Sequence, residues 1–206
     1  MSLLYYSRMR FIQDLTPLLL ASTQTAHVIS VFAGNMEDSI KPGDDPIGTA
    51  PPGKYGITSV RRNTCFMKTF YFEELAEKYA GKISFIHIYP GLVDGPGFYS
   101  EEIPLWFRMT WRVLKPLVSW YMTSPEVCGQ VMVYLATSRY PAKGNVSGTA
   151  DAAFSSQREL GGGAYAVGQR GDESKKASWA RARKSDTGER VWQHTQEVFQ
   201  RAGGTT

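Results

Sequence analysis

Along the chain, apolar positions fall into two rhythms, one of helical spacing and one of continuous short runs. Residues 3 to 20 carry Leu4, Met9, Ile12, Leu15, Leu18 and Leu19 with Arg8, Arg10, Gln13 and Asp14 between them, which predicts a helix. His27 to Ala33 (HVISVFA) is β-branched and apolar and stops at Gly34-Asn35, as a buried strand does. Residues 35 to 54 are punctuated by proline and glycine and read as a long surface loop. A second helix is expected over 58 to 79, with Phe66, Phe70, Leu75 and Tyr79 on it and Gly81 as its C-cap. It leads straight into Ile83 to Tyr89, the start of ISFIHIYPGLVDGPG, a run fit for a strand covered on both faces. Strand, loop, helix and strand make a βαβ unit, so the two strands should be parallel.

The second half reads less regularly. Residues 104 to 122 combine Trp106, Trp111 and Trp120 with Arg108, Arg112 and Lys115, an aromatic helix that Pro116 interrupts and that suits a lid. Ser124-Pro125-Glu126 is a helix start, with serine as N-cap and proline at the first helical position, and the helix should reach about Ser138. Gly161 to Gly163 followed by AYAVG suggests a last short strand. The segment 171–186 is polar and mixed in charge, hence expected to be flexible, before a final helix within 187–203 that ends at Gly203-Gly204. The division that follows is a domain over 1–170, the flexible segment and the terminal helix.

Composition narrows the function. The 206 residues are 42% apolar, enough for one sizeable core, and the net charge of +4 comes from 23 basic and 19 acidic residues spread along the chain. Nucleic acid calls for a clustered basic face, so it is not an expected partner. Cys65 and Cys128 both fall in helical segments, which argues against a disulfide scaffold and for a reducing, cytoplasmic setting. No run of 18 apolar residues predicts a membrane span. Asn145-Val146-Ser147 matches a glycosylation acceptor by chance.

The spacing Gly91-x-x-x-Gly95-x-Gly97 imitates a dinucleotide fingerprint. A phosphate loop, however, needs free N–H groups opening a helix, and Pro96 removes one of them. Instead, YPGLVDGP, together with RMRFIQDLTPLLL, HVISVFAG, FEELAEKY, GGGAYAVG and VWQHTQEVF in that order, resembles a fungal branch of the short-chain dehydrogenase/reductase family over nearly the whole chain.

The resemblance implies a truncated Rossmann-like α/β fold, three layers around a short parallel sheet. In that family a preceding strand and glycine-rich turn hold NAD or NADP, and this sequence begins beyond them. No cofactor is therefore expected, with NADP or NAD required if the chain is an ordinary reductase. The strand at 27–33 would be left as an open edge, and a homodimer is expected, since relatives pair through helices matching 3 to 20 and 58 to 79.

The family's catalytic set is Asn, Ser, Tyr and Lys, the last two spaced YxxxK. Here Tyr55 has Ser59 four residues on, the serine position falls near Phe32 or Ala33, and the asparagine position near Leu4. Arg61 or Arg62 supplies charge but stays protonated. The candidate catalytic residues are Tyr55, Arg61 and Asp94, the last as a desolvated general base at the strand mouth. Phe32, Pro90, Gly91, Val93, Trp106 and Trp111 are the candidate walls of a pocket for a small apolar substrate. His87 reads as a core residue bonded to backbone, and His194 as solvent-facing. With His27 they show no ligand spacing, and neither CxxC nor HExxH occurs, so no metal is expected.

Three functions are open. The first is an enzyme of specialised metabolism that has given up hydride transfer for a cofactor-independent isomerisation, dehydration or cyclisation. The second is an NAD(P)-dependent oxidoreductase acting on a carbonyl substrate and represented by an incomplete chain. The third is a non-catalytic binding or dimerisation module.

Overall fold

The computed structural model describes residues 1–146 and 151–203; Ser147 of the acceptor triplet and Gly204 of the expected helix end lie outside them. In chain order the elements are α1 (Ser7–Leu20), β1 (Ala26–Val31), α2 (Ile57–Lys78), β2 (Ile83–Ile88), β3 (Leu92–Val93), α3 (Leu105–Val118), β4 (Met122–Thr123), α4 (Pro125–Leu135), β5 (Ala164–Val167) and α5 (Thr187–Gly203). The strands β1, β2 and β5 form a parallel sheet in that order, with Ala26 opposite Ile83 and Phe85 opposite Ala164. The expected βαβ unit is therefore β1-α2-β2.

The period of two along β2 sends its side chains to two cores. Ile83 and Phe85 meet Met9, Phe66, Phe70, Val191 and Phe199 from α1, α2 and α5 on one face. Ile86 and Ile88 meet Leu135 at the end of α4, Tyr140, Tyr165 and Val167 on the other. Helices thus cover both faces of a short parallel sheet, the truncated Rossmann-like arrangement. Ser124 caps α4 through the amide of Val127 (3.2 Å), but that helix stops at Leu135, short of the expected Ser138.

Gly34, three residues past β1, is required by space: a Cβ there would lie 2.0 Å from the carbonyl oxygen of His87. Beyond β2, β3 pairs with β4 and α3 lies between them in the chain, making a small aromatic lobe. Gly91 opens that lobe with φ +79°, where a Cβ would also run into Gln169 and Thr123.

Residues 171–186, polar in composition, make contacts with the sheet and with α2. Glu173 bridges to Val167, Ser174 donates its amide to Ala166 (2.9 Å), and Ala177 and Ala180 are buried. The physical reason is Glu73 on α2, a buried carboxylate that accepts two hydrogen bonds from the Arg183 guanidinium (2.7 and 3.1 Å) and others from Ser156 (2.6 Å) and Gln157 (3.0 Å). His194 likewise is not free in solvent, since its Nε2 meets the Tyr6 hydroxyl at 2.8 Å.

Candidate functional site

The carboxyl end of β1 and the amino end of α2 meet around a cavity of about 780 Å³. Phe32, the first residue past β1, forms one wall, Leu4 and Met1 a second, and Tyr55, Ile57, Val60 and Arg61 the third. The turn into α2 is fixed by Ser59, whose Oγ accepts from the Gly56 amide and donates to the Gly56 carbonyl, both at 2.9 Å. Ser59 is therefore spent on capping. The cavity is mostly apolar, with the Tyr55 phenol (56% exposed), the Arg61 guanidinium and the Ser2 hydroxyl as its polar side-chain groups.

The fold brings Phe32, Tyr55 and Arg61 together and sets the other candidates apart. Pro90, Gly91 and Val93 carry the neighbouring lobe, outside this lining. Within that lobe Trp111 stacks on Phe98 (centroids 4.4 Å apart) and lies parallel to Phe107, whereas Trp106 is 69% exposed. Asp94 is not a desolvated carboxylate. It pairs with Lys115 (2.8 Å) and accepts from the Tyr99 hydroxyl (3.0 Å), and these partners hold its pKa below the usual carboxylate value.

Behind Phe32 lies a polar cluster whose members are scattered in sequence. The amide of Ala33 donates to Nε2 of His87 (3.2 Å), so the ring proton must sit on Nδ1, 2.7 Å from the Thr69 hydroxyl. Thr69 in turn donates to Glu37 Oε1 (2.7 Å). Burial drives the His87 pKa down, which keeps the ring neutral and fits the acceptor role of Nε2. Glu37, Cys65 and His87 offer ligand atoms within 4.8 Å of one another, a grouping that the spacing of the sequence does not betray. Most of its hydrogen bonds are committed, since Cys65 donates to Ala33 O (2.8 Å) and Nδ1 carries the proton for Thr69, while Glu37 Oε2 has no partner among the described residues. The cluster is built as a relay between β1, β2 and α2, and a cation would have to dismantle it.

Lys68 completes this region. Its side chain is fully buried, its Nζ stands 4.7 Å from the centroid of the Phe32 ring, and the amine has no hydrogen-bond partner among the described residues. The signal for it was present in CFMKTFYF, a lysine surrounded by apolar residues on a helix. The cluster partners Glu37 and Thr69 carried no comparable signal.

The glycine loop does not fit a pyrophosphate. The amide of Asp94 donates to Thr123 (3.1 Å), that of Gly95 to Val93 (2.8 Å) and that of Phe98 to Gly95 (3.3 Å), so the donors a phosphate needs are engaged. The 3₁₀ turn that follows has four residues.

A βαβ unit in a short parallel sheet with helices on both faces defines a truncated Rossmann-like domain, and the cavity lies beyond the carboxyl end of its first strand. Sequence comparison carries this further, and the chain belongs to the short-chain dehydrogenase/reductase family, in a group found in fungi. It is 54% identical over 200 residues to the short-chain dehydrogenase/reductase SAT2 of Stachybotrys chartarum, covering 94% of this chain and 56% of that protein. It is 31% identical over 213 residues to the oxidoreductase AN1596 of Emericella nidulans (98% and 61% covered). The oxidoreductase andH of Emericella variicolor is 31% identical over 212 residues (98% and 60% covered). The chain spans between 56 and 61% of the length of these relatives. No family model matches it. Among the described residues no helix is long and apolar enough to cross a membrane.

Proposed function

We propose that the chain binds a small apolar carbonyl compound in the Phe32–Tyr55–Arg61 cavity and acts on it by proton transfer without hydride, as an isomerase, dehydratase or cyclase derived from an oxidoreductase family. The observation that carries this reading is what occupies the cavity at the positions where the family resemblance calls for polar catalytic groups. Leu4 and Phe32 are apolar walls, and the Ser59 hydroxyl is held by Gly56.

The chemistry then falls to two groups. The Tyr55 phenol passes its proton to the carbonyl oxygen while water at the cavity mouth takes the α-proton, so the C–H bond breaks as the enol forms; the hydronium so made returns a proton to Tyr55, and the Arg61 guanidinium stabilises the charge passing through the oxygen. Leu4, Phe32 and Val60 give the substrate's apolar body a surface to pack on. In this reading Pro90, Gly91 and Val93 carry a lobe whose exposed Trp106 meets the substrate when the lobe closes, while Trp111 packs on Phe98 within it. Asp94 helps to tie that lobe to α3. A second copy covering the exposed edge of β1 completes the proposal.

The second reading is an NAD(P)-dependent oxidoreductase, and the names of the relatives favour it. Titration with NADH and NADPH, followed by tryptophan fluorescence, separates the two. The proton-transfer reading expects no saturation, and micromolar saturation by either nucleotide overturns it. With a panel of apolar enones and hydroxyketones followed by NMR, Tyr55→Phe should lower turnover by about 10²–10⁴-fold. Unchanged turnover removes Tyr55 as the acid, and binding without any turnover leaves a binding module.

A further inference from the structure

The Phe32 ring separates the cavity from a buried amine that the proton-transfer chemistry does not use. We propose that Lys68 is a covalent capture site for small aldehydes and ketones, reached from the cavity when the Phe32 ring swings aside. The proposal uses the same cavity as the function proposed above but does not depend on proton transfer from Tyr55.

Geometry carries it. Lys68 projects from α2, and long helical side chains lean toward the helix N-terminus, here toward the Tyr55 end of α2. Its Nζ lies 4.7 Å from the centre of the Phe32 ring, and that partly buried residue is itself part of the cavity lining. No carboxylate forms an ion pair with Nζ among the described residues. The charged and titratable groups around it are Arg8 from α1, His87 from β2, Cys65 one turn earlier on α2 and Glu37 on the turn after β1. Arg8 disfavours a second cation, His87 is neutral, and burial holds the Cys65 thiol protonated. Glu37 is bonded through Oε1 to Thr69 and to the Asn35 amide.

Burial accordingly pushes the Lys68 pKa down to about 7, so that much of the amine is uncharged at neutral pH. An ordinary lysine, titrating near 10.4, has only about 0.04% of its amine free there. The free lone pair adds to the carbonyl carbon to give a carbinolamine. Loss of water follows, in which the C–O bond breaks, the C=N bond forms, and the oxygen departs with the two amine hydrogens.

The full chain is exposed briefly at pH 7.4 to propanal with sodium cyanoborohydride, which traps the imine as a secondary amine, and then mapped by peptide mass spectrometry. Lys68 should be propylated at least about tenfold faster than any surface lysine, with a rate that rises through pH 7. Phe32→Ala should speed labelling at Lys68, and Lys68→Met should abolish the fast phase. Because Lys68→Met can disturb folding, the Phe32→Ala comparison stands without it. Labelling at Lys68 no faster than at the surface, or only after denaturation, overturns the proposal. Tyr55→Phe should leave fast labelling intact whether or not it changes turnover, which keeps the fate of this proposal separate from that of the first.

Discussion

Strands β1 and β2 are adjacent, parallel and alike in apolar content, yet their surroundings are opposite. Every residue of β2 is buried, with a strand on each side and helices above and below. In β1 only Ser30 is buried, Val31 is exposed, and a groove of about 650 Å³ runs between the strand and α1, lined by Phe11, Leu15, Leu19 and Val28. The difference lies in neighbours rather than composition. An edge strand keeps a row of unpaired backbone groups, and its side chains find half as much to touch. Stability is concentrated at β2, and what the β1 side exposes is available to a ligand or a partner.

The most direct way to break this comparison is at one register position. Phe85 on β2 and Val28 on β1 are partners and face the same core. Phe85→Ala should cost about 3–5 kcal/mol, the range for a large aromatic truncated in a closed core. Val28→Ala, beside the groove, should cost roughly 1 kcal/mol, because the site is already partly open. Urea denaturation measures both, and equal losses would show that the edge is as tightly packed as the centre.

The next effect comes from the relay that joins the two strands. Thr69→Val leaves the Nδ1 proton of His87 and one oxygen of Glu37 without their shared partner, at a cost of about 1–3 kcal/mol. The same histidine sets a pH dependence. Its folded-state pKa lies below the ordinary value of about 6.5, so the unfolded chain takes up the proton more readily. This contribution is absent above the unfolded pKa and becomes a growing loss of stability as the pH falls below about 6.5. His87→Gln keeps an acceptor for the Ala33 amide and should flatten that part of the acid slope in denaturation midpoints taken between pH 7 and 5. An unchanged slope would mean that other groups carry it.

The βαβ unit, the parallel sheet and most helix starts were legible because each has a local cause. The run ISFIHI, the cap at Ser124 and the glycine at 81 act within a few residues of themselves. Phe32, Tyr55 and Arg61 line one cavity, and the sequence offered them one at a time: Tyr55 as the tyrosine of the long loop, Phe32 or Ala33 near the family's serine position, and Arg61 or Arg62 as a nearby charge. Three things were not legible, and each depends on a distant partner. Arg183 finds Glu73 from 110 residues away, so a segment polar in composition becomes anchored. Asp94 finds Lys115, which turns a candidate base into half of an ion pair. The Glu37–Thr69–His87 relay draws on three elements, none of which carries a motif.

The aromatic lobe offers the smallest and sharpest contrast, because it places two tryptophans of one helix in opposite settings. Helix α3 buries none of its residues completely. Trp106 nevertheless stands mainly in solvent, while Trp111 lies parallel to Phe98 and Phe107 with its ring nitrogen shielded and without a hydrogen-bond partner among the described residues. Trp106→Ser should therefore change stability by no more than about 0.5 kcal/mol, as surface substitutions do. Trp111→Ser should cost more, with about 0.5–1.5 kcal/mol from each ring pair it breaks added to the apolar area exposed. If the lobe closes over the cavity, the order reverses for ligand binding: Trp106→Ser weakens the uptake of apolar ketones, measured by calorimetry, in a protein whose unfolding midpoint has hardly moved. Loss of both stability and binding on changing Trp106 would instead make it a packing residue, and the open side of the molecule would be smaller than its exposed apolar side chains imply.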